Sequence, residues 1–90
     1  MPIIEERVVI TNKIGLHARP ARLLVQTAAQ FQADIRLQKD DKTAKAKSIV
    51  GVLKLGASLG DTLLITAEGE DAEEAVKTLV SLIERKFDEE

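Results

Sequence analysis

Two stretches of this chain repeat their apolar residues at the spacing of a helical turn, so each must bury one face against something else. The first carries Ala21, Leu24, Val25 and Ala28, with Arg22, Gln26 and Gln30 on the wet side. The second carries Ala72, Ala75, Val76, Leu79 and Ile83. Around them the period falls to two. Val8 and Ile10, Ile35 and Leu37, and Leu63, Ile65 and Ala67 mark the inner faces of strands. A chain that alternates these two periods in so short a length is an α+β domain.

Local signals place the boundaries. The first strand is expected over residues 3–11, ending in Val8-Val9-Ile10-Thr11. Gly15 breaks the chain before a helix running from about Ala18 to Gln30, and Pro20 falls in its first turn, where a missing N–H costs nothing. Leu23 adds apolar surface to which the pattern assigns no role. Lys39-Asp40-Asp41-Lys42 is a polar turn leading into a short strand, Thr43-Ala44-Lys45-Ala46. The last helix opens on Asp71, with Glu74 three residues later as a capping-box partner, and Arg85 and Lys86 complement the dipole at its end. Glu73 and Lys77 form an i,i+4 pair. The predicted order is βαββαβα: a four-stranded antiparallel sheet with three helices on one face over a single core.

Composition narrows the function. Ninety residues make one domain, expected to span 1–90. The absence of cysteine removes disulfides and thiolate metal sites. No apolar run approaches the roughly 18 residues that span a bilayer. The acidic start, Met1-Pro2-Ile3-Ile4-Glu5-Glu6, lacks the basic character of a signal peptide, so the cytoplasm is the expected compartment and no membrane partner is expected. Net charge is −2, but residues 1–47 hold nine Lys/Arg against five Asp/Glu, whereas residues 68–90 hold three against nine. The basic half favours acidic partners and phosphate. With Phe31 and Phe87 as the only aromatics, a stacking platform for nucleic acid is missing. The acidic ending Asp88-Glu89-Glu90 reads as a solvated terminus.

The single histidine, His17, lies in the basic half at the opening of the first helix. Imidazole titrates near neutrality and serves as a nucleophile without strong activation. A helix N-terminus offers backbone N–H groups and the positive end of the dipole to a phosphate. Arg19 adds a planar cation that matches phosphoryl oxygens. Together these groups suit a residue that carries a phosphoryl group. The competing reading makes His17 a cap or surface residue of a small regulatory domain that binds a metabolite or another protein. An independent enzyme is not expected: one histidine and no paired carboxylates near the site leave no acid/base set. Gly51, Gly56 and Gly60 do not form a P-loop, and neither a metal site nor a cofactor is expected.

The segment after Ser48 has an unusual distribution. On a helix, Ile49, Val50 and Leu53 fall on one side and Val52 and Leu55 on the other, so both sides are apolar. A domain of this size cannot readily bury both, and one face is expected to meet a partner. Ser48 itself is well suited to cap this helix.

Asn12-Lys13-Ile14-Gly15-Leu16-His17-Ala18-Arg19-Pro20-Ala21 resembles the active-site segment of the histidine-containing phosphocarrier (HPr) family of the bacterial phosphoenolpyruvate-dependent sugar phosphotransferase system. Lys47-Ser48-Ile49-Val50-Gly51-Val52-Leu53-Lys54-Leu55-Gly56 resembles that family's regulatory-serine segment. The resemblance spans essentially the whole chain and implies an open-faced β-sandwich. It also implies that His17 Nδ1 takes a phosphoryl group from phosphorylated enzyme I and passes it to enzyme IIA of a sugar permease. Arg19 and the backbone N–H groups of Ala18 and Arg19 would steady the phosphoryl oxygens. Ser48 would be phosphorylated by an HPr kinase/phosphorylase, and that form would serve a catabolite-control regulator. Ile49, Val50 and Leu53 would form the docking patch of a carrier expected to be monomeric.

Some residues depart from the family's usual pattern. Ile14 replaces a small or polar residue, and Val50 and Leu53 stand where methionine is frequent. The string Ile10 to His17 and the ending Phe87-Asp88-Glu89-Glu90 also look like the nitrogen-regulatory branch (NPr), which has the same chemistry without sugar transport. Gly51-Val52-Leu53-Lys54-Leu55-Gly56 favours the sugar branch, which is the reading adopted here.

Overall fold

A computed structural model describes residues 2–88. The chain runs β1 (Ile3–Val9), α1 (Ala18–Ala28), β2 (Asp34–Lys39), β3 (Lys42–Lys45), α2 (Ile49–Leu55), β4 (Thr62–Glu68) and α3 (Ala72–Glu84). A 3-10 turn, Lys86–Asp88, follows. The sheet order is β1-β4-β2-β3 and every pairing is antiparallel. Register puts Leu37 opposite both Ile65 and Ala44, and Val8 opposite Leu63, so these five apolar residues from the four strands share one face. That face is buried, while Arg7, Arg36, Gln38 and Thr43 face outward and are exposed. Helix α3 packs on β1 and β4, α2 packs on β3, and α1 touches both other helices. This is the expected α+β architecture.

The helical stripes behave as their spacing predicts. Ala21, Leu24 and Ala28 are buried in α1, and Val25 is half-buried. All five predicted core positions of α3 are buried, joined by Val80 and Leu82. Leu23 gains a role as a partly buried residue packed against the core.

Several boundaries and contacts differ from expectation. Strand β1 stops at Val9 rather than Thr11, because Ile10 exchanges hydrogen bonds with loop residues, donating to Asp61 O and accepting from Gly60 N at 2.8 Å each. Helix α1 ends at Ala28 because Gln30 and Phe31 turn back to Thr27 and Ala28 in tighter three-residue bonds. Asp71 does not close a capping box. Its carboxylate instead accepts from the Gln32 and Ala33 amides, both at 2.8 Å, tying the start of α3 to the loop after α1. Arg85 bonds Ser81 and Asp88 side chains. Lys86, Phe87 and Asp88 all take positive φ (56°, 57° and 60°), a left-handed turn that the periodicity does not signal. Each costs about 1–2 kcal/mol outside glycine, and the burial of Phe87 offsets part of that cost. Glu89 and Glu90 lie outside the described residues.

Candidate phosphoryl-acceptor site

Helix α1 starts where its sequence says it must, and His17 occupies the N-cap with φ −135° and ψ 156°. Its imidazole is exposed and makes no cap hydrogen bond. The side chain is therefore not serving the helix, which removes the capping role from the competing reading. Ala18 and Arg19, both exposed, form the first turn with Pro20, whose ring is buried. Ala18 has φ 48°, a left-handed conformation that costs an alanine about 1–2 kcal/mol. Strain of this kind persists only where the surroundings over-determine the backbone.

Those surroundings are visible in the loop ahead of His17. Gly15 has φ 68°, and a Cβ built on it would stand 2.5 Å from Ala57 O and 2.7 Å from Ser58 Cα. Only glycine meets both demands. Leu16 is buried and donates its N–H to Ala57 O at 2.9 Å. Asn12, only 1% exposed, donates from Nδ2 to Gly15 O at 3.0 Å, while Gly15 N donates to Asn12 O at 3.3 Å. Its Oδ1 is buried without a hydrogen-bond partner among the described residues. Asn12 stands in the motif but was given no role by sequence reasoning. An Asx residue three places before a loop glycine is the signal that points to such a turn.

Ser48 caps α2 as predicted: its hydroxyl oxygen accepts from Gly51 N at 3.1 Å. At the other end, Gly56 closes the helix in the left-handed region, with φ 63°. The helix divides its apolar residues as expected. Val52 and Leu55 are buried, whereas Ile49, Val50 and Leu53 are 40%, 58% and 40% exposed. Ile14 and Leu59 add 55% and 58% exposed apolar side chains on the two segments that meet at Gly15. Sequence reasoning named Ile14 only as a departure and did not single out Leu59. The structure thus joins the His17 loop to the segment leaving α2, through Ala57. Ser48 sits at the opposite end of that helix, whose seven residues span about 10 Å. Among the described residues no group of three or more His, Cys, Asp or Glu side chains could hold a metal ion. No helix among them is long and apolar enough to cross a membrane.

The comparisons with known proteins point the same way as this geometry. A sequence model described as "PTS HPr component phosphorylation site" matches residues 4–85. The phosphocarrier protein HPr of Xylella fastidiosa is 40% identical over 88 residues, covering 98% of this chain and 99% of that protein. The phosphocarrier protein NPr of Shewanella violacea is 39% identical over 89 residues, covering 99% and 98%. Among solved structures, HPr from Thermoanaerobacter tengcongensis superposes with a TM-score of 0.94 at 54% identity, over 97% of this chain and 98% of that one. A structure of an HPr dimer from the same organism gives 0.76 at 55% identity, over 89% and 92%. An exposed histidine at a strained helix start, a serine-capped second helix and end-to-end similarity to carriers of one kind agree: the chain belongs to the HPr family of the phosphotransferase system and is a phosphocarrier.

Proposed function

We propose that His17 is the phosphoryl acceptor and that this chain serves the sugar branch of the phosphotransferase system. The observation that carries the reading is an exposed imidazole at the N-cap of α1 that makes no cap hydrogen bond. As the imidazole nitrogen attacks phosphorus, the bond to the donor group on enzyme I breaks, and the phosphoryl group becomes bonded to His17. Charge on its three oxygens is met by the Arg19 guanidinium and by the Ala18 and Arg19 amides. The reverse sequence delivers the group to enzyme IIA. An exposed site holds the phosphate lightly, as a carrier must. No cofactor or metal takes part in this scheme.

The face formed by Ile49, Val50 and Leu53 would dock both partners in turn, which suits weak and rapid exchange. Ser48 would be the regulatory site: a phosphate there adds negative charge beside an apolar patch without removing the helix. A kinase/phosphorylase would supply it and a catabolite-control regulator would read it. We take residues 1–90 as one domain, monomeric and cytoplasmic, which gel filtration and fractionation test directly.

The Xylella HPr and the Shewanella NPr are nearly equally similar, at 40% and 39%, so the branch rests on the α2 sequence and on the higher identity, 54%, of the Thermoanaerobacter HPr. Incubation with phosphoenolpyruvate and, separately, purified sugar-type or nitrogen-type enzyme I decides it. The expected result is faster labelling by the sugar-type enzyme, with acid-labile, base-stable phosphate on His17 and none on His17→Ala. Faster labelling by the nitrogen-type enzyme would move the chain to the other branch. Label retained by a folded His17→Ala would remove His17 as the acceptor.

A further inference from the structure

The His17 loop rests on a floor made by residues 56–61. Leu16 N–H is held by Ala57 O, Gly15 lies against Ala57 and Ser58, and Ile10 is bonded to Gly60 and Asp61. Both ends of the loop are thus stitched to this segment, and anything that moves it moves His17.

What holds the floor is one carboxylate. Asp61 Oδ2 accepts from Ser58 N at 2.8 Å and from Ser58 Oγ at 3.4 Å, and lies 3.3 Å from Lys39 Nζ. Lys39 Nζ also donates to Gly56 O at 3.2 Å, the residue that closes α2. Ser58 Oγ, with one proton to donate, has the same carbonyl at 3.3 Å as its alternative acceptor to Asp61. The Lys39 and Asp61 side chains are 21% and 33% exposed, more shielded than those of the pairs Arg36–Asp34, Lys77–Glu73 and Arg85–Asp88. The Asp61 carboxyl is held below its ordinary value, chiefly by the Ser58 amide and next by Lys39. A solvated surface pair would contribute little. This one fastens β2, the end of α2 and the floor of the His17 loop at a single point.

We propose that Asp61 is a positioning residue for phosphoryl transfer: through Ser58 and Ala57 it fixes the loop that presents His17, and through Lys39 it ties that loop to the end of α2. The proposal rests on His17 as the acceptor. Asp61 touches no reacting atom. Its effect arises because phosphoryl transfer depends on in-line placement, where a shift of about 1 Å can cost as much as 10²-fold in rate.

The test measures transfer from phosphorylated enzyme I to wild type, Asp61→Ala, Asp61→Asn and Lys39→Met, at a temperature where circular dichroism shows all four folded. His17→Ala is run beside them. Asp61→Ala should lower kcat about tenfold with KM unchanged, since Lys39 keeps its own bond to Gly56 O at the end of α2 and Ile49, Val50 and Leu53 stay in place. Asp61→Asn keeps an oxygen for the Ser58 amide and should recover most of that loss. Lys39→Met, which removes only a lysine, should lower kcat less than Asp61→Ala. In parallel, the Leu16 amide should exchange faster with solvent in Asp61→Ala. An unchanged kcat in Asp61→Ala and Lys39→Met, a change confined to KM, or an Asp61→Asn variant as slow as alanine overturns the proposal while leaving the acceptor in place. Label on wild type at a residue other than His17 overturns both.

Discussion

Replacing Gly15 by alanine tests how tightly the His17 loop is held. The added Cβ would begin 2.5 Å from Ala57 O, where ordinary contact starts at 3.4 Å, so the two segments must part by about 1 Å. Alanine at φ 68° costs about 1–2 kcal/mol from backbone sterics alone. Separation also strains the Leu16–Ala57 hydrogen bond, and a buried N–H left without an acceptor costs about 1–3 kcal/mol. The combined loss is about 2–5 kcal/mol, which for a domain of this size lowers Tm by about 4–8 °C for each kcal/mol. Gly56→Ala supplies the control. Its φ is 63° but nothing lies within 4 Å of its Cβ, so it should lose only the backbone part, about 1–2 kcal/mol. Urea titrations of both variants separate the two contributions, and transfer assays on the folded proteins should show a tenfold or larger fall, roughly, for Gly15→Ala alone. If the two variants unfold at the same urea concentration and transfer at the same rate, contact with Ala57 and Ser58 does not constrain the loop.

Three further outcomes are expected. Arg19→Lys retains charge but loses the planar fork, so transfer should slow by about 1–3 kcal/mol of transition-state stabilisation; an unchanged rate would leave the helix amides sufficient. Ser48→Asp should slow transfer from enzyme I while the domain stays folded, whereas Ser48→Ala should transfer normally and lose about 1 kcal/mol with its cap. Equal rates in both and in kinase-phosphorylated protein would reduce Ser48 to a cap. The Asp71 carboxyl is lowered from 3.8, first by the Gln32 amide and also by that of Ala33. A depressed folded-state value means its stabilisation is fully present above 3.8 and is lost as pH falls below that value toward the folded pKa. Asp71→Ala should therefore flatten the acid limb of the stability–pH curve, and an identical limb in urea melts would argue against the Gln32–Ala33 clamp.

Most of the secondary structure was legible because it is written in local terms. Helical spacing in Ala21–Ala28 and Ala72–Ile83 and alternation in Ile35–Leu37 and Leu63–Ala67 report which face is apolar, and the structure buries those faces. Ser48 was legible for the same reason, since a cap needs only the next turn of its own chain. His17 and Arg19 could be placed at a helix start because Gly15 and Pro20 punctuate it. Asp71 shows the limit of this reasoning. Its spacing to Glu74 suggested a local cap, but its carboxylate is satisfied by Gln32 and Ala33, nearly forty positions away in the chain.

What the sequence alone determined, then, was which residues are apolar on which face and where each element begins, because those depend on neighbours within a turn or two. The tertiary structure decided which face of α2 is covered: β3 and α1 close over Val52 and Leu55 and leave Ile49, Val50 and Leu53 in solvent. It decided the strand order, the left-handed turn that buries Phe87, and the conversion of Asn12, Lys39, Ala57 and Asp61 into supports for one loop. Such contacts join residues whose separation along the chain carries no periodic signal. A hydrogen bond between Leu16 and Ala57 exists only once the sheet has brought the end of β1 beside the start of β4.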